Sequence, residues 1–274
     1  MRHDPGPVFR ALHRPGDPFI LANAWDAGSA QMLAGLGAEA IATSSAAQAF
    51  TLGRPDGGTI SRDEALAHAE MLVAATPLPV SGDFENGFGE APEVCAETVR
   101  LACEAGLAGL SIEDTALPGD TPYGFDLAVE RIRAAAAAAR ALPRDMVLVA
   151  RADGIMTGQY DIEEALRRLK AFAEAGADCL YAPLPVSMAD LGRICREVGR
   201  PVNALAAGPY ARVSRAEFAA LGVARISLGG ALARMTHRVI RDAGLAMFGA
   251  GDFTPLTQGM PGSEVDALLE RGSR

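Results

Sequence analysis

The sequence is short of several things that would mark a specialised protein. Its four cysteines, Cys95, Cys103, Cys179 and Cys195, are scattered through 274 residues without metal-type spacing. That argues against a disulfide scaffold and a thiolate zinc site. Cys95 and Cys103 fall inside helical patterns, where a small buried thiol is the ordinary role. Aromatic residues make up only 5% of the chain, with one tryptophan, Trp25. The net charge is −9 and no run of Lys or Arg interrupts it. No basic face is left for nucleic acid, and no anchor for an anionic membrane. No stretch approaches the ~20 apolar residues of a membrane span; the alanine run at 134–139 is closed by Arg140 and Pro143. The first 19 residues lack the apolar core of a signal peptide, so a reduced, cytoplasmic protein is expected. No G-x-G-x-x-G follows the first apolar run, which argues against a dinucleotide-binding open sheet.

What is present is a rhythm. Eight short runs rich in Val, Ile, Leu and Ala recur at 19–25, 39–45, 78–85, 108–114, 146–153, 178–184, 201–207 and 224–230. None alternates cleanly with polar residues, so both faces are expected to be buried, as in a parallel sheet wrapped by helices. Helical patterns lie between the runs. One opens with Ser61 and Glu64, a capping-box spacing. Others stop at Gly106, Gly176 and Gly222. The phrases "GLGAEAI", "EAGLAGL" and "EAGADCL" each read as helix end, glycine cap and next strand. Eight such units predict a single (β/α)8 TIM barrel over about 15–245, within one domain of 1–274. Two helical patterns follow the last run, and a C-terminal helical segment covers about 246–274.

In such a barrel the chemistry lies at the C-terminal ends of the strands. The unusual polar residues gather there: Asn23, Trp25 and Asp26; Thr43, Ser44 and Ser45; Asp83 and Glu85; Glu113 and Asp114; Arg151 and Asp153. The sixth and seventh runs contribute only Pro183 and Asn203. Strand alternation would point Asp83 and Glu85 the same way. Carboxylates without a histidine or thiolate cluster suit a hard cation, Mg2+ first and Mn2+ second, with Asp83, Glu85 and Glu113 as ligands directly or through water. Arg151 suits a substrate carboxylate. Ser44, Ser45 and the Ala46 N–H suit an anionic end of the ligand, and Trp25 is a ligand contact, pocket wall or core. An acidic pair at a strand end also serves as a turn or a helix cap, and Asp114 and Asp153 are either helix caps or groups that support the site from behind. His3, His13, His68 and His237 read as structural.

With these residues in place, the sequence resembles the isocitrate lyase/phosphoenolpyruvate mutase family. The matching pieces are "LANAWDAGSAQMLAGLGAEAIATSSAA", "GRPDGGTIS", "DFENGFG", "AGLSIEDT" and "VARADG", in family order from about residue 15 to 230. The resemblance implies a (β/α)8 barrel whose eighth helix is often exchanged between subunits of a homodimer or homotetramer. It implies Mg2+ and a small 2-oxo or 2-hydroxy carboxylate substrate. It matches Asp83 and Glu85 to the metal-binding pair, Glu113 to a glutamate near the metal, and Asp56 to an aspartate holding metal waters. Ser44, Ser45 and Ala46 match the carboxylate-binding segment, Arg151 the substrate-contacting arginine, and Trp25 a pocket segment. The family's lyases carry a "K-[KR]-C-G-H" gating loop after the fourth strand; here that stretch is "TALPGDTPYGFD". Tyr123 and Asp120 are its only candidates for proton transfer. Pro183 and Leu205 stand where methylisocitrate lyases carry Glu and Asn.

These residues lead to an Mg2+-dependent lyase acting through an enolate. The substrate is an oxaloacetate-like acid, which needs an electron sink but no strong base, or an isocitrate-like one. The alternatives are a phosphonopyruvate-type P–C bond enzyme and a non-catalytic 2-oxo acid binding protein.

Overall fold

A computed structural model of the chain describes residues 4–274; His3 lies outside them. Eight strands occupy the eight apolar runs: β1 Phe19–Asn23, β2 Ala40–Ala42, β3 Val80–Asp83, β4 Gly109–Glu113, β5 Val147–Arg151, β6 Cys179–Tyr181, β7 Val202–Leu205 and β8 Arg225–Ser227. Each pairs in parallel with the next, and β8 closes on β1 through Ile20 opposite Ile226. The helices are α1 Gly6–Leu12, α2 Ala27–Gly35, α3 Ser45–Thr51, α4 Arg62–Ala75, α5 Pro92–Glu104, α6 Phe125–Ala141, α7 Ile162–Glu174, α8 Met188–Glu197, α9 Arg215–Ala220, α10 Ala231–Ala250 and α11 Gly262–Gly272.

The local signals act as expected. Ser61 Oγ accepts from the Glu64 N–H, and Glu64 Oε2 accepts from the Ser61 N–H at 2.8 Å, closing the capping box of α4. The glycines of the repeated phrase, Gly37, Gly106 and Gly176, have φ of 100°, 96° and 109°. Side chains are strained there, which is why each unit ends on glycine.

Two sets of apolar side chains divide the molecule. The larger lies between the barrel wall and the helices. The smaller fills the barrel itself, with Phe19, Leu21, Ala40, Ala42, Val147, Val149 and Cys179. The short helix α1 plugs the N-terminal end. Phe9, fully buried, meets the His13 and Phe19 rings edge-on at 4.9 and 6.0 Å. His13 is a core residue there. Burial, helped by the nearby Arg225 charge, pushes its pKa down to about 3. His68 is likewise structural and hydrogen-bonds the Trp25 carbonyl at 2.9 Å.

The end of the chain departs from a closed ring of helices. α11 returns to pack on α2, so closely that a Cβ on Gly272 would lie 1.8 Å from the Gln31 carbonyl oxygen. α10 runs outward for 20 residues with only Ala233 buried.

Candidate active site

Three strands end on the charged groups that matter. β3 ends on Asp83, β4 on Glu113 and β5 on Arg151, with Glu113 and Arg151 directly opposite in register. The apolar parts of these strands are held by core packing, so their last residues project at the barrel mouth. Arg151 is the hub. Its Nη1 donates to Asp83 Oδ1 at 2.9 Å, its Nη2 lies 3.0 Å from Glu113 Oε2, and its Nε donates to Asp153 Oδ1 at 3.0 Å. The Tyr181 ring lies 5.3 Å beneath the guanidinium. Burial works against this charge, but Asp153, Glu113 and Asp83 outweigh it and hold the Arg151 pKa above its usual value.

Asp83 is tied to the next loop as well. Ser45 donates to its Oδ2 through both N–H and Oγ–H at 2.9 Å, and the Asp83 N–H donates to Thr43 Oγ1 at 2.7 Å. Ser44 caps α3, its Oγ accepting from the Ala47 N–H. Ala46 follows in the first turn of α3, where backbone N–H groups lack intrahelical partners. Asn23 stitches the rim: its amide donates to the Thr43 carbonyl, and its oxygen accepts from the Leu228 and Gly229 N–H groups.

A cavity of about 340 Å³ opens among these residues. Ser44, Ser45, Ala46, Asp56, Asp83 and Arg151 all line it. Three sequence expectations are placed elsewhere. Trp25 is half-buried and does not line this cavity. Glu113 is 8% exposed and sits behind Arg151 as its counter-ion. Glu85 does not share the direction of Asp83, because β3 has already ended. The chain turns at Glu85 with φ of 45°, and alternation holds only while the backbone stays extended. Its Oε1 accepts from the Gly58 N–H at 3.1 Å, and its side chain faces an adjoining cavity that Asn86 and Tyr123 also line.

The cluster is rich in negative charge. Burial pushes Glu85 up to about 7, with Asp83 and Asp56 adding repulsion against the Gly58 hydrogen bond. Burial raises Glu113 well above the carboxylate range despite Arg151. Partial desolvation and then the Asp83 charge raise Asp56. Arg151 therefore serves three carboxylates, Asp83, Glu113 and Asp153, while Arg225 and Arg234 also line the cavity. Among the described residues, no three His, Cys, Asp or Glu side chains converge tightly enough to hold an ion alone. The carboxylate oxygens of Asp83 and Asp56 on one wall, with no nitrogen or sulfur ligand set among the described residues, fit a hard cation that keeps several waters, as Mg2+ does.

Behind these groups lies a second layer, in which Asp114 and Asp153 take the supporting role that the sequence left open for them. Asp114, nearly fully buried, accepts from the Asp153 N–H at 2.8 Å, the Tyr160 hydroxyl at 2.9 Å and Arg168 Nη1 at 2.9 Å. Asp114 and Asp153 are thus neither caps nor turn formers; one anchors the backbone of the other, which grips Arg151. Arg168 and Tyr160 carried no signal, because they come from α7 and the loop before it, far along the chain.

The sequence profile of the Phosphoenolpyruvate phosphomutase family matches residues 9–248. The chain belongs to this family, within the isocitrate lyase/phosphoenolpyruvate mutase superfamily. Oxaloacetate decarboxylase of Chromohalobacter salexigens is 32% identical over 84% of this chain and 80% of its own length. The 2,3-dimethylmalate lyase of Eubacterium barkeri is 32% identical over 74% and 72%. Among solved structures, a Burkholderia cenocepacia protein provisionally assigned as a lyase/mutase is 48% identical, with a TM-score of 0.91 over 96% of this chain and 94% of its own. The two named enzymes are lyases.

Proposed function

We propose that this superfamily member is an Mg2+-dependent carbon–carbon lyase acting on a small 2-oxo or 2-hydroxy carboxylate. Decarboxylation of an oxaloacetate-like acid is the first choice and isocitrate-type cleavage the second. The observation that carries this is the meeting, at one cavity, of Asp56, Asp83, the Ser45–Ala46 turn and Arg151, with Glu113 and Asp153 paired to that arginine from outside it. Relatives that act on oxaloacetate and dimethylmalate support the substrate class. Asp83, which lines the cavity, would hold the cation, with Asp56 on the same wall, and Glu85 and Glu113 from outside the cavity, reaching it through water; Mn2+ is the alternative ion. Bound there, it would supply Lewis-acid polarisation of the substrate's 2-oxygen.

The chain's own residues orient the acid and receive its charge. The first turn of α3 offers the Ala46 N–H to the carboxylate beside the 2-oxygen, the Ser45 and Ala47 N–H groups being already engaged. When the C–C bond breaks, its electron pair moves towards that oxygen, giving an enolate and releasing CO2. Arg151, fixed by Asp153 and Glu113, lies where the growing negative charge is stabilised most, since it need not reorganise. Proton return to the carbon needs a donor. Asp120 stands exposed. Tyr123 is buried beside Glu85, its hydroxyl oxygen accepting from Asn86 Nδ2 at 3.0 Å. Tyr123 is therefore the better candidate.

The test is pyruvate formation from oxaloacetate, followed by NMR with and without a chelator. Turnover above the background rate that EDTA removes and Mg2+ restores is expected. Ligand-induced thermal stabilisation without product would replace the enzyme by a binding protein.

The proposed assembly is a homodimer or homotetramer that exchanges α10. Val239, Ile240, Leu245 and Phe248 are 68%, 67%, 69% and 90% exposed along this helix. Ile20, facing outward from β1 where an eighth barrel helix would pack, is 45% exposed. Phe248→Asp is expected to lower the mass measured by light scattering to that of one chain. A monomeric wild-type protein at micromolar concentration would rule out the exchange.

A further inference from the structure

The floor of the active-site cavity carries a charge that the mechanism does not use. Phe19, Ala40, Val147 and Cys179 pack inside the barrel, yet β8 begins with Arg225. It is 4% exposed and lines the cavity. Register places it opposite Asn203 and one inward-facing position below Ser227. Its Nε donates to Asn203 Oδ1 at 2.8 Å, while its Nη1 has no partner. The Asn203 amide is itself oriented, because its Nδ2 donates to Ser227 Oγ at 2.8 Å. The direction of the guanidinium is therefore set by a built hydrogen-bond chain.

The other buried arginines are satisfied. Arg151 and Arg168 meet carboxylates, and Arg131 meets the carbonyls of Asn86, Gly89 and Glu90. Arg225 meets no carboxylate among the described residues. A guanidinium left in an apolar barrel without a counter-ion costs several kcal/mol. Such a cost persists in functional sites where the missing partner is the ligand.

We propose that Arg225 is a specificity-determining residue that receives a second carboxylate of the substrate at the cavity floor. The site then selects a 2-oxo dicarboxylate over a 2-oxo monocarboxylate. The reading rests on the rim holding the 2-oxo acid end. From there, a cavity of about 340 Å³ leaves room for a chain of a few carbons reaching down to Arg225.

The experiment uses the full chain with Mg2+ and two probes. Oxalate offers the chelating head alone; 3,3-difluorooxaloacetate adds a distal carboxylate. Arg225→Met keeps the aliphatic stem and removes the charge. It is expected to weaken difluorooxaloacetate about 30-fold, the worth of a charged hydrogen bond, and to leave oxalate within about threefold. The melting temperature without ligand is expected to hold or rise, since an unpaired buried charge has gone. Arg225→Lys, retaining a cation, should recover part of the lost affinity. Equal weakening of both probes, no weakening of either, or a lower melting temperature without ligand would make Arg225 structural and overturn the proposal. If the wild-type protein binds neither probe with Mg2+, the functional reading itself fails and this one falls with it. If it binds oxalate but Arg225→Met does not discriminate, only the floor site fails.

Discussion

Asp83→Asn is expected to lower turnover by about a thousandfold while the protein keeps its fold. The substitution preserves size, so the wall of the cavity survives. What it removes is the negative charge on which Ser45 and Arg151 converge. Ser45 donates twice to Oδ2 and Arg151 once to Oδ1. An asparagine can accept on one side only, so its NH2 faces either the Ser45 donors or the guanidinium. The cation loses a ligand at the same time. Thermal unfolding should shift by only a few degrees, because Arg151 keeps Glu113 and Asp153 as partners. Single-turnover rates and circular dichroism measured on the same sample check both halves. A variant retaining a tenth or more of the wild-type rate would remove Asp83 from the chemistry.

The largest loss of stability is expected from Arg168→Met. Arg168 and Asp114 form an ion pair at 2.9 Å with side chains 7% and 1% exposed. Removing one partner leaves the other charge buried, at a cost of about 3–5 kcal/mol. Burial, then Asp153, already raises the Asp114 pKa with Arg168 present. Arg168 Nη1 also donates to the Tyr123 carbonyl at 3.0 Å, which adds a lost hydrogen bond. Urea unfolding at neutral pH measures the deficit. The double variant Arg168→Met/Asp114→Asn should recover part of it, since the stranded charge is gone. A single-variant loss below about 1 kcal/mol would show that water reaches Asp114, and that the pair is not the buried lock described. Because Asp114 positions Asp153, and Asp153 grips Arg151, the single variant should also slow turnover.

The superfamily and its barrel were legible from the chain alone because a parallel barrel buries both faces of each strand. That makes each strand a short unbroken apolar run, and each unit ends on a glycine that tolerates positive φ. Helices α1, α3 and α8 were missed for different reasons. α1 and α3 are too short for a periodic pattern, and α1 owes its place to the barrel end it plugs. α8 carries a cap at Ser187 and an apolar face with Leu191 and Ile194, signals by which it could have been found.

The candidate site divides along the same line. Sequence by itself determined which strands end in charge: Asp83, Glu113 and Arg151 each close an apolar run, and the chain has no other way to satisfy them than at a barrel mouth. Only the tertiary structure decided what those charges meet. Glu85 turns aside because its backbone leaves the extended form, and Trp25 packs away from the cavity. Arg168 joins Asp114 across 54 residues of chain, and Arg225 stands unpaired on the floor. The physical reason is that hydrophobic periodicity is a local property of the chain. Pairing between charges depends on distances that exist only once the eighth strand has closed on the first.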